Sequence, residues 1–398
     1  MKVKSIKDIK DLKGKKALVR VDYNLSINNG KIDFKDNLRI KASLATINYL
    51  LKEGADVILV AHLGRPEGWD KKLSLAPVAK YLAKILKKQV NFIADDITKK
   101  DVLKKIKKGV NMLENIRFYT EETKGDKKFS KLLSDFGDVY INEGFSVSHR
   151  EDASVWGVQS YLPPYAGLNL EAEILNLSKL LRKNLKKQNR PYVALMGGGK
   201  ISTKVNLILS LLKSADCILL GGALISGILK LQGYKLGKTL QEEISPSILK
   251  KIFRNKKIVM PVDVVVGRAE RPEEARVIRL EGNKALCRED ESILDMGPET
   301  VLEFSRHIKK SQTIVWNGPL GLFEEPTFAY ATISLARLIA SRGKGQTFAV
   351  VGGGETIAAL NQTKMEKYID WVSTGGGAML SFLGGEKMPG LQKLIRNF

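Results

Sequence analysis

The sequence predicts an α/β protein with two lobes, each a mainly parallel sheet flanked by helices, joined by a hinge helix. Three observations predict this fold. Short apolar runs alternate with amphipathic segments of helical length through both halves of the chain. Polar residues or glycines follow almost every apolar run. The length, 398 residues, exceeds what one hydrophobic core usually supports, which favours two domains.

Composition indicates a protein of the cytoplasm. The longest apolar stretch, residues 217–229, is too short to span a bilayer, and the first ten residues lack the apolar segment of a signal peptide. Two cysteines, Cys217 and Cys287, are too few and too far apart for a disulfide framework or a thiolate metal site. A reducing compartment is therefore expected, with no membrane partner.

The net charge of +23 arises from 66 basic and 43 acidic residues, and it creates a field that attracts polyanions. The lysines occur in short runs at places that read as outer helix faces or helix ends. No aromatic residues are interleaved with them for base stacking. This pattern favours a solvated basic surface over a nucleic-acid groove, although salt-dependent nucleic-acid binding stays open as an alternative.

Repeated strand and helix segments make up the first half. Strands are predicted over residues 17–21, 56–61, 110–113 and 139–141, with helices over residues 37–52 and 77–87. Such alternation is typical of a parallel sheet covered by helices on both faces. In these sheets a ligand lies beyond the carboxyl ends of the strands.

Basic and polar residues cluster after these first-half strands. Guanidinium groups at corresponding positions of successive units can hold phosphate or carboxylate oxygens in pairs. An acid and an amide beside them suit hydroxyl groups. The pattern therefore predicts a small, polyanionic, hydroxylated ligand. The residues are Asp22, Asn24, Arg39, His62, Arg65, Arg117 and Arg150.

A connector is predicted between the halves. Pro163 and Pro164 interrupt the strand and helix alternation, and an amphipathic helix is expected over residues 169–187. The predicted division is an N-terminal domain over residues 1–165, a hinge over 166–187, a C-terminal domain over 188–384 and a tail over 385–398.

The second half opens on a strand over residues 192–196, then Gly197, Gly198, Gly199 and Lys200, with a helix expected from Ser202. Glycines leave backbone N–H groups unscreened by Cβ atoms, and a helix N-terminus carries positive potential. The stretch is suited to an anion such as phosphate, or it is a glycine-softened turn without a ligand.

Recurrence favours the phosphate interpretation. Apolar runs over residues 313–316, 348–351 and 371–373 end in glycine-rich turns, two of which are again triple glycines. A fourth run, residues 258–260, leads into residues 261–263 (PVD). Together these turns predict backbone donors for a nucleotide polyphosphate. A Walker A loop does not explain them, because Ile201 rather than Ser or Thr follows Lys200.

Several motifs, taken in order and spacing, resemble the phosphoglycerate kinase family over essentially the whole chain. They are residues 20–24 (RVDYN), 61–66 (AHLGRP), 113–118 (LENIRF), 261–266 (PVDVVV), 315–319 (VWNGP) and 372–378 (VSTGGGA). The resemblance implies two Rossmann-like lobes that close about a hinge, and a C-terminal tail that returns to the first lobe. It also implies a monomer that binds 3-phosphoglycerate or 1,3-bisphosphoglycerate on the first lobe and MgADP or MgATP on the second.

The resemblance also implies roles for individual residues. The phosphoglycerate site would comprise the seven first-half residues named above. The groups facing the transferred phosphoryl would be Arg39, Lys200, Gly354 and Gly376. The nucleotide site would comprise Gly198, Gly199, Lys204, Gly222, Asn317, Pro319, Leu322, Glu324, Gly353, Gly354, Glu355 and Thr356.

Two departures from the family pattern affect the expected metal site. Glu355 stands where the family carries the aspartate that meets Mg²⁺, and an added methylene shifts the carboxylate by about 1 Å or more. Thr203 stands at a position that is usually acidic. These changes predict an active phosphotransferase with adjusted metal geometry, the alternative being a nucleotide-binding relative without catalysis.

Overall fold

The computed structural model describes residues 2–28, 31–34, 38–242, 244–282 and 284–396. The chain divides into two compact units. Unit 1 comprises Met1–Leu175 with Lys387–Phe398, and unit 2 comprises Asn176–Glu386. Within the described ranges no helix is both long and apolar enough to cross a membrane.

Unit 1 is built on a six-stranded sheet whose paired strands are all parallel. Its order is β3-β4-β2-β1-β5-β6. The strands are β1 (Lys16–Arg20), β2 (Asp56–Val60), β3 (Val90–Ile93), β4 (Val110–Leu113), β5 (Val139–Asn142) and β6 (Pro164–Ala166). The helices are α1 (Leu38–Lys52), α2 (Ala76–Leu86), α3 (Thr120–Thr123), α4 (Lys127–Ser134) and α5 (Leu168–Ser178).

Both faces of this sheet are buried, so its central strands are apolar throughout rather than alternating. Val19 packs in the core that includes Ile47 of α1 and Leu82 of α2. Leu18, the adjacent residue, packs on the opposite face with Phe129 of α4. Near the termini, Lys2–Val3 pairs antiparallel with Ile395–Arg396.

Unit 2 contains a second six-stranded parallel sheet, of order β9-β8-β7-β13-β14-β15, which confirms the predicted fold class. Its strands are β7 (Tyr192–Met196), β8 (Cys217–Leu220), β9 (Ile258–Val259), β13 (Thr313–Asn317), β14 (Phe348–Gly352) and β15 (Trp371–Ser373). The helices are α6 (Val205–Ser214), α7 (Ser226–Leu231), α8 (Pro246–Phe253), α9 (Pro298–Lys310), α10 (Tyr330–Arg342), α11 (Gly354–Gln362) and α12 (Gly377–Gly384).

An antiparallel sheet in unit 2 was not predicted. It comprises β10 (Asp263–Arg268), β11 (Arg271–Arg279) and β12 (Ser292–Met296), in the order β11-β10-β12. Residues 261–263 therefore lead into a new strand instead of forming a ligand-facing turn. The Asp263 carboxylate accepts hydrogen bonds from the backbone N–H groups of Glu299 (3.1 Å) and Thr300 (2.7 Å), so it caps α9.

Two predicted helix boundaries are wrong, and a third cannot be checked. The helix predicted over residues 169–187 ends at Ser178, whose carbonyl oxygen accepts a hydrogen bond from Nδ2 of Asn184 at 2.6 Å; single 3₁₀ turns follow. The helix predicted from Ser202 begins at Val205, because residues 201–204 form turns. Asn37, the predicted first residue of α1, lies outside the described residues.

Glu143 is a buried carboxyl group that joins three elements of unit 1. It follows β5, accepts a hydrogen bond from Oγ1 of Thr46 in α1 at 2.7 Å, and accepts from N–H groups of Asn169 and Leu170 in the first turn of α5. Burial raises the pKa of Glu143 to about 8, against the opposing effect of these hydrogen bonds.

We therefore expect Glu143 to lower the unfolding free energy as the pH rises. Between the unfolded value near 4.5 and the folded value near 8, the native state holds a proton that the unfolded state lacks, so rising pH destabilises the fold. Glu143→Gln keeps an uncharged group there. Relative to Glu143→Gln, the wild type should lose up to about 1.4 kcal/mol of unfolding free energy per pH unit between about pH 5.5 and 7.5.

Urea titrations of both proteins across this pH range measure the difference in their unfolding free energies. The contributions of other buried acids are the same in both proteins and cancel in this difference. Glu151→Gln is the matched control for the loss of a carboxylate, because Glu151 is exposed. Parallel stability curves for wild type and Glu143→Gln would contradict the assignment.

Candidate functional site

The predicted first-half residues lie beyond one edge of the unit 1 sheet. Asp22 and Asn24 follow β1, His62 follows β2, Arg117 follows β4 and Arg150 follows β5. Because these strands are parallel, their carboxyl ends meet at the same edge. We call the group formed by Arg39, His62, Arg65, Arg117 and Arg150 the basic cluster.

Asp22, Asn24 and Arg39 form one connected set. Arg39 pairs with the Asp22 carboxylate (Nη1 to Oδ2, 2.9 Å) and donates from the same nitrogen to the Asn24 carbonyl oxygen at 2.9 Å. The Asn24 side chain accepts from Gly64 N–H at 2.8 Å. Ser146, which the sequence did not single out, donates its hydroxyl to Asp22. The loops after β1 and β2 are thereby fixed to the start of α1.

Asn115 is fully buried and joins the loop after β2 to the loop after β4. Its Oδ1 accepts from the N–H groups of Leu63 (3.2 Å) and Arg117 (3.1 Å). Its Nδ2 donates to the carbonyl oxygens of Leu63 (2.8 Å) and Leu73 (2.9 Å). The Asn115 amide therefore holds the backbone next to His62 and at Arg117, which are two members of the basic cluster.

Arg117 is buried and Arg65 is exposed, although both belong to the basic cluster. Nη1 of Arg117 donates to the Gly64 carbonyl oxygen at 3.0 Å, and its Nη2 lies 4.0 Å from Oδ2 of Asp152. Burial raises the pKa of Asp152, while Arg20, Arg150 and His149 oppose the rise. An acid thus lies beneath the arginines and offsets part of their mutual repulsion.

His62 is almost fully buried beside Arg20, whose Nη2 lies 3.1 Å from its Nδ1. Burial lowers the pKa of His62 well below its usual range, and the positive charges of Arg20, Arg150 and Arg39 lower it further. The structure thereby brings His62, Arg39 and Arg150 into one electrostatic neighbourhood. The sequence indicates Arg20 only as part of a motif; the signal that could mark it is a cation inside an apolar strand.

In unit 2, two N–H groups of the glycine turn (Gly197–Gly199) donate hydrogen bonds to the protein's own backbone. Gly197 donates to the Asn317 carbonyl oxygen at 2.9 Å, and Gly198 donates to that of Pro319 at 2.6 Å. The expectation that these amides point at a ligand is therefore wrong for both. They bind the turn after β7 to the turn after β13. A Cβ on Gly198, which has φ +93°, would lie 2.6 Å from Nζ of Lys204.

Lys204 is buried behind the glycine turn and donates its ammonium group to the Gly197 carbonyl oxygen. Burial lowers the pKa of Lys204 to about 8, and the negative charge of Glu355 opposes the change. Lys200, in contrast, is exposed. The two lysines of this motif thus occupy different environments, one internal and one open to solvent.

Asn317 and Thr356 also bind the protein's own backbone. Nδ2 of Asn317 donates to the Gly352 carbonyl oxygen at 2.7 Å, and Oγ1 of Thr356 accepts from Gly318 N–H at 2.7 Å. These bonds connect the turn after β13 with the turn after β14. Both predicted nucleotide-binding residues therefore shape the turns that surround the candidate site.

A cleft of about 220 Å³ lies beside these turns and brings together half of the predicted nucleotide-binding residues. We call it the unit 2 cleft. Apolar side chains such as Ile293, Met296 and Phe323 line it, and the exposed carboxyl groups of Glu324 and Glu355 flank it. The predicted residues at the cleft are Gly199, Gly222, Pro319, Leu322, Glu324 and Glu355. An apolar cleft with few polar groups suits a flat heterocycle with a polar end.

Gly354 and Gly376 lie at helix N-termini. Gly354 is the exposed first residue of α11, and Gly376, with φ +52°, precedes α12. Amides at such positions lack intrahelical partners and carry partial positive charge. Neither glycine lines the unit 2 cleft, so either could contact only a part of a ligand that extends out of the cleft.

Glu242 is another residue that the sequence did not mark. Its carboxylate accepts from the Ser202 backbone N–H (Oε2, 2.8 Å) and from the Ser202 hydroxyl (Oε1, 3.2 Å). Oγ1 of Thr203 donates to the Lys200 carbonyl oxygen at 2.9 Å. These contacts hold residues 200–204 as turns, which explains why α6 begins later than predicted.

The residues that the structure describes contain no cluster of three His, Cys, Asp or Glu side chains able to hold a metal ion. Glu355 nevertheless offers an exposed hard oxygen ligand at the unit 2 cleft. Mg²⁺ is commonly bound by one or two carboxylates with phosphate and water oxygens. The donor set fits such shared coordination and does not fit a cage made by the protein alone.

Comparison with known proteins gives consistent matches over nearly the full length. A family model described as phosphoglycerate kinase matches residues 6–386. A phosphoglycerate kinase of Borrelia garinii subsp. bavariensis is 40% identical over 407 residues, covering 99% of this chain and 100% of the relative. Solved phosphoglycerate kinases from Coxiella burnetii (34% identity) and Pyrococcus horikoshii (30%) each superpose with a TM-score of 0.82 over 98% of both chains.

Asn115→Ala tests how unit 1 holds its two site loops. The change leaves two buried N–H groups, one buried carbonyl oxygen and one partly buried carbonyl oxygen without their amide partner, so we expect a loss of about 3 kcal/mol in unfolding free energy. Asn48→Ala, an exposed position on α1, should change it by less than about 0.5 kcal/mol. Urea unfolding measures both; equal effects would show that Asn115 does not hold the loops.

Proposed function

The chain belongs to the phosphoglycerate kinase family, and we propose that it catalyses reversible transfer of the acyl phosphate of 1,3-bisphosphoglycerate to MgADP, giving 3-phosphoglycerate and MgATP. The observation that carries the proposal is the basic cluster at the carboxyl edge of the unit 1 sheet. Four guanidinium groups, with an acid (Asp22) and an amide (Asn24) beside them, suit a ligand that has phosphate, carboxylate and hydroxyl groups.

We assign the phosphoglycerate to this edge of unit 1. Arg39, Arg65, Arg117 and Arg150 would bind its anionic oxygens. Asp22 already pairs with Arg39, and Asn24 already binds the loop that carries Arg65. These contacts order the binding side chains before the ligand binds, which reduces the conformational entropy that is lost on binding.

We assign the nucleotide to the unit 2 cleft. Its apolar lining would take the base, and Glu324 would accept from the ribose hydroxyls. The phosphates would extend toward Lys200 and the amides at Gly354 and Gly376. Because the Gly197 and Gly198 amides are used internally, their proposed part is to shape the turn rather than to donate to phosphate.

The proposed reaction needs no general base. The carboxylate of 3-phosphoglycerate and the terminal phosphate of ADP are both ionised near neutral pH, so each can attack directly. What the transfer needs is positive charge and hydrogen-bond donors around the phosphoryl group, with donor and acceptor in line. We assign these parts to Lys200, Arg39 and the amides at Gly354 and Gly376, with closure of the units during turnover.

We propose Mg²⁺ as the metal, held by Glu355 and by nucleotide phosphate oxygens. The metal would neutralise phosphate charge during transfer. We further propose that the protein acts as a monomer in the cytoplasm.

A coupled assay of ATP formation from 1,3-bisphosphoglycerate tests the activity, and Lys200→Ala tests the mechanism. Lys200 is exposed, and in the proposed mechanism it neutralises charge on the transferred phosphoryl group, so its loss should lower kcat by about 100-fold or more. ADP affinity should change far less. Lys309→Ala, at the exposed end of α9, should behave as wild type. An unchanged kcat in Lys200→Ala would remove Lys200 from the mechanism.

A Mg²⁺ titration tests Glu355. Glu355→Gln removes the charged ligand, so the Mg²⁺ concentration for half-maximal rate should rise by about tenfold, whereas Glu355→Asp should shift it less and keep turnover. Calorimetry of ADP binding with and without Mg²⁺ gives a second readout that does not require catalysis. If both variants match wild type in both measurements, Glu355 is not a metal ligand.

A further inference from the structure

We propose that Arg20 is a positioning residue that holds His62 in the tautomer with its proton on Nε2, so that the imidazole meets the substrate as a neutral hydrogen-bond donor. Arg20 itself touches no substrate in this assignment and acts through His62. The identity of the substrate rests on the proposed function, but the tautomer of His62 does not.

The contact between the two side chains has only one consistent proton arrangement. Nη2 of Arg20 lies 3.1 Å from Nδ1 of His62. A guanidinium group has five N–H donors, has no acceptor and stays protonated in proteins. Nδ1 must therefore present its lone pair to Arg20. A neutral His62 then carries its proton on Nε2, and an imidazolium would set an N–H of His62 against an N–H of Arg20.

Arg20 is fixed by further hydrogen bonds and cannot turn away at low cost. Its side chain is fully buried. Its Nε donates to Oγ of Ser154 at 2.8 Å, and its Nη1 donates to the Val21 carbonyl oxygen. Ser154 is held in turn, because its backbone N–H donates to the Glu122 carboxylate at 2.8 Å and its hydroxyl donates to the same group. A buried chain thus runs from Glu122 through Ser154 and Arg20 to His62.

The charges around His62 oppose the imidazolium form, which leaves the Arg20 contact to select between the two neutral tautomers. Arg20, Arg150 and Arg39 all act on the ring, and burial withdraws it from water. Each of these factors lowers the pKa of His62, so the ring is neutral near pH 7. The acids beneath, Glu122 and Asp152, have their own pKa values raised by burial, that of Glu122 to about 7, and they compensate the cations only in part.

A division of labour follows within the basic cluster. The arginines supply charge, which acts over distance and tolerates misalignment. A neutral imidazole supplies one directed donor, whose strength depends on geometry. His62 would therefore orient the substrate without adding to the repulsion among the arginines.

The tautomer is measured in ligand-free protein labelled with ¹⁵N-histidine. Long-range ¹H–¹⁵N correlation distinguishes a protonated Nε2 from a protonated Nδ1 and from an imidazolium. The chain has three histidines, so His62→Gln assigns the signals by their loss. We expect wild-type His62 to be the Nε2-protonated form at pH 7. Observation of the other tautomer, or of an imidazolium, would overturn the proposal whatever the enzyme activity.

Variants of Arg20 then test positioning. Arg20→Met should give a mixture of His62 tautomers and raise KM for 3-phosphoglycerate by about tenfold, with a smaller change in kcat. Arg20→Lys retains a cationic donor and should recover part of both effects. Arg396→Met, an exposed arginine of unit 1, is the matched control, and the His307 signals in unit 2 should stay unchanged throughout.

Ser154→Ala keeps the test decisive if Arg20→Met does not fold. It leaves Arg20 in place without its Nε acceptor, so the tautomer should become partly mixed and KM should rise less than in Arg20→Met. If folded Arg20 and Ser154 variants keep a pure Nε2-protonated His62 and an unchanged KM, Arg20 does not position it. If the tautomer responds as expected but no variant or wild type binds 3-phosphoglycerate, the positioning stands and the proposed function fails.

Discussion

Parallel pairing of the unit 1 strands is the constraint on which the candidate site depends. It places the ends of β1, β2, β4 and β5 at one edge, and so brings together cations that repel one another at this distance. The fold offsets this repulsion with acids that are themselves withdrawn from water: Asp22 on Arg39 and Asp152 near Arg117. Removing one member of such a set leaves an unbalanced charge, so a change in the charge of this edge also changes its geometry.

The buried polar groups beneath this edge give it rigidity rather than net stability. Hydrogen bonds satisfy Arg20, Ser154 and Glu122 one after another, and Asn115 uses both its oxygen and its nitrogen on backbone groups. Burying charges and amides gains little over burying apolar groups of the same size, but it fixes a single arrangement because alternatives leave a group unpaired. A ligand that needs several oxygens recognised at once benefits from that fixity.

The local sequence pattern was enough to predict both parallel sheets and the residues at their edges. A buried strand and the polar residues at its end form a recognisable run of consecutive residues. It was not enough for features set by distant partners. The end of α5 depends on the Asn184 amide, the turn before α6 depends on Glu242, and β10 forms because β11 and β12 pair with it. The contact of Arg20 with His62 spans 42 residues and leaves no periodic signal.

The glycine turn shows why residue type alone misplaces a function. The triple glycine predicts amides that are open to a ligand, yet Gly197 and Gly198 donate to the carbonyl oxygens of Asn317 and Pro319. Close backbone approach is the reason glycine is needed there, since a Cβ on Gly197 would lie 2.1 Å from the Pro319 carbonyl oxygen. The turn is consequently stiff before any ligand binds, with the Lys204 ammonium group bound to its carbonyl side. A preformed turn needs less ordering when a ligand binds beside it, so the internal contacts of these glycines are compatible with the nucleotide site proposed for unit 2.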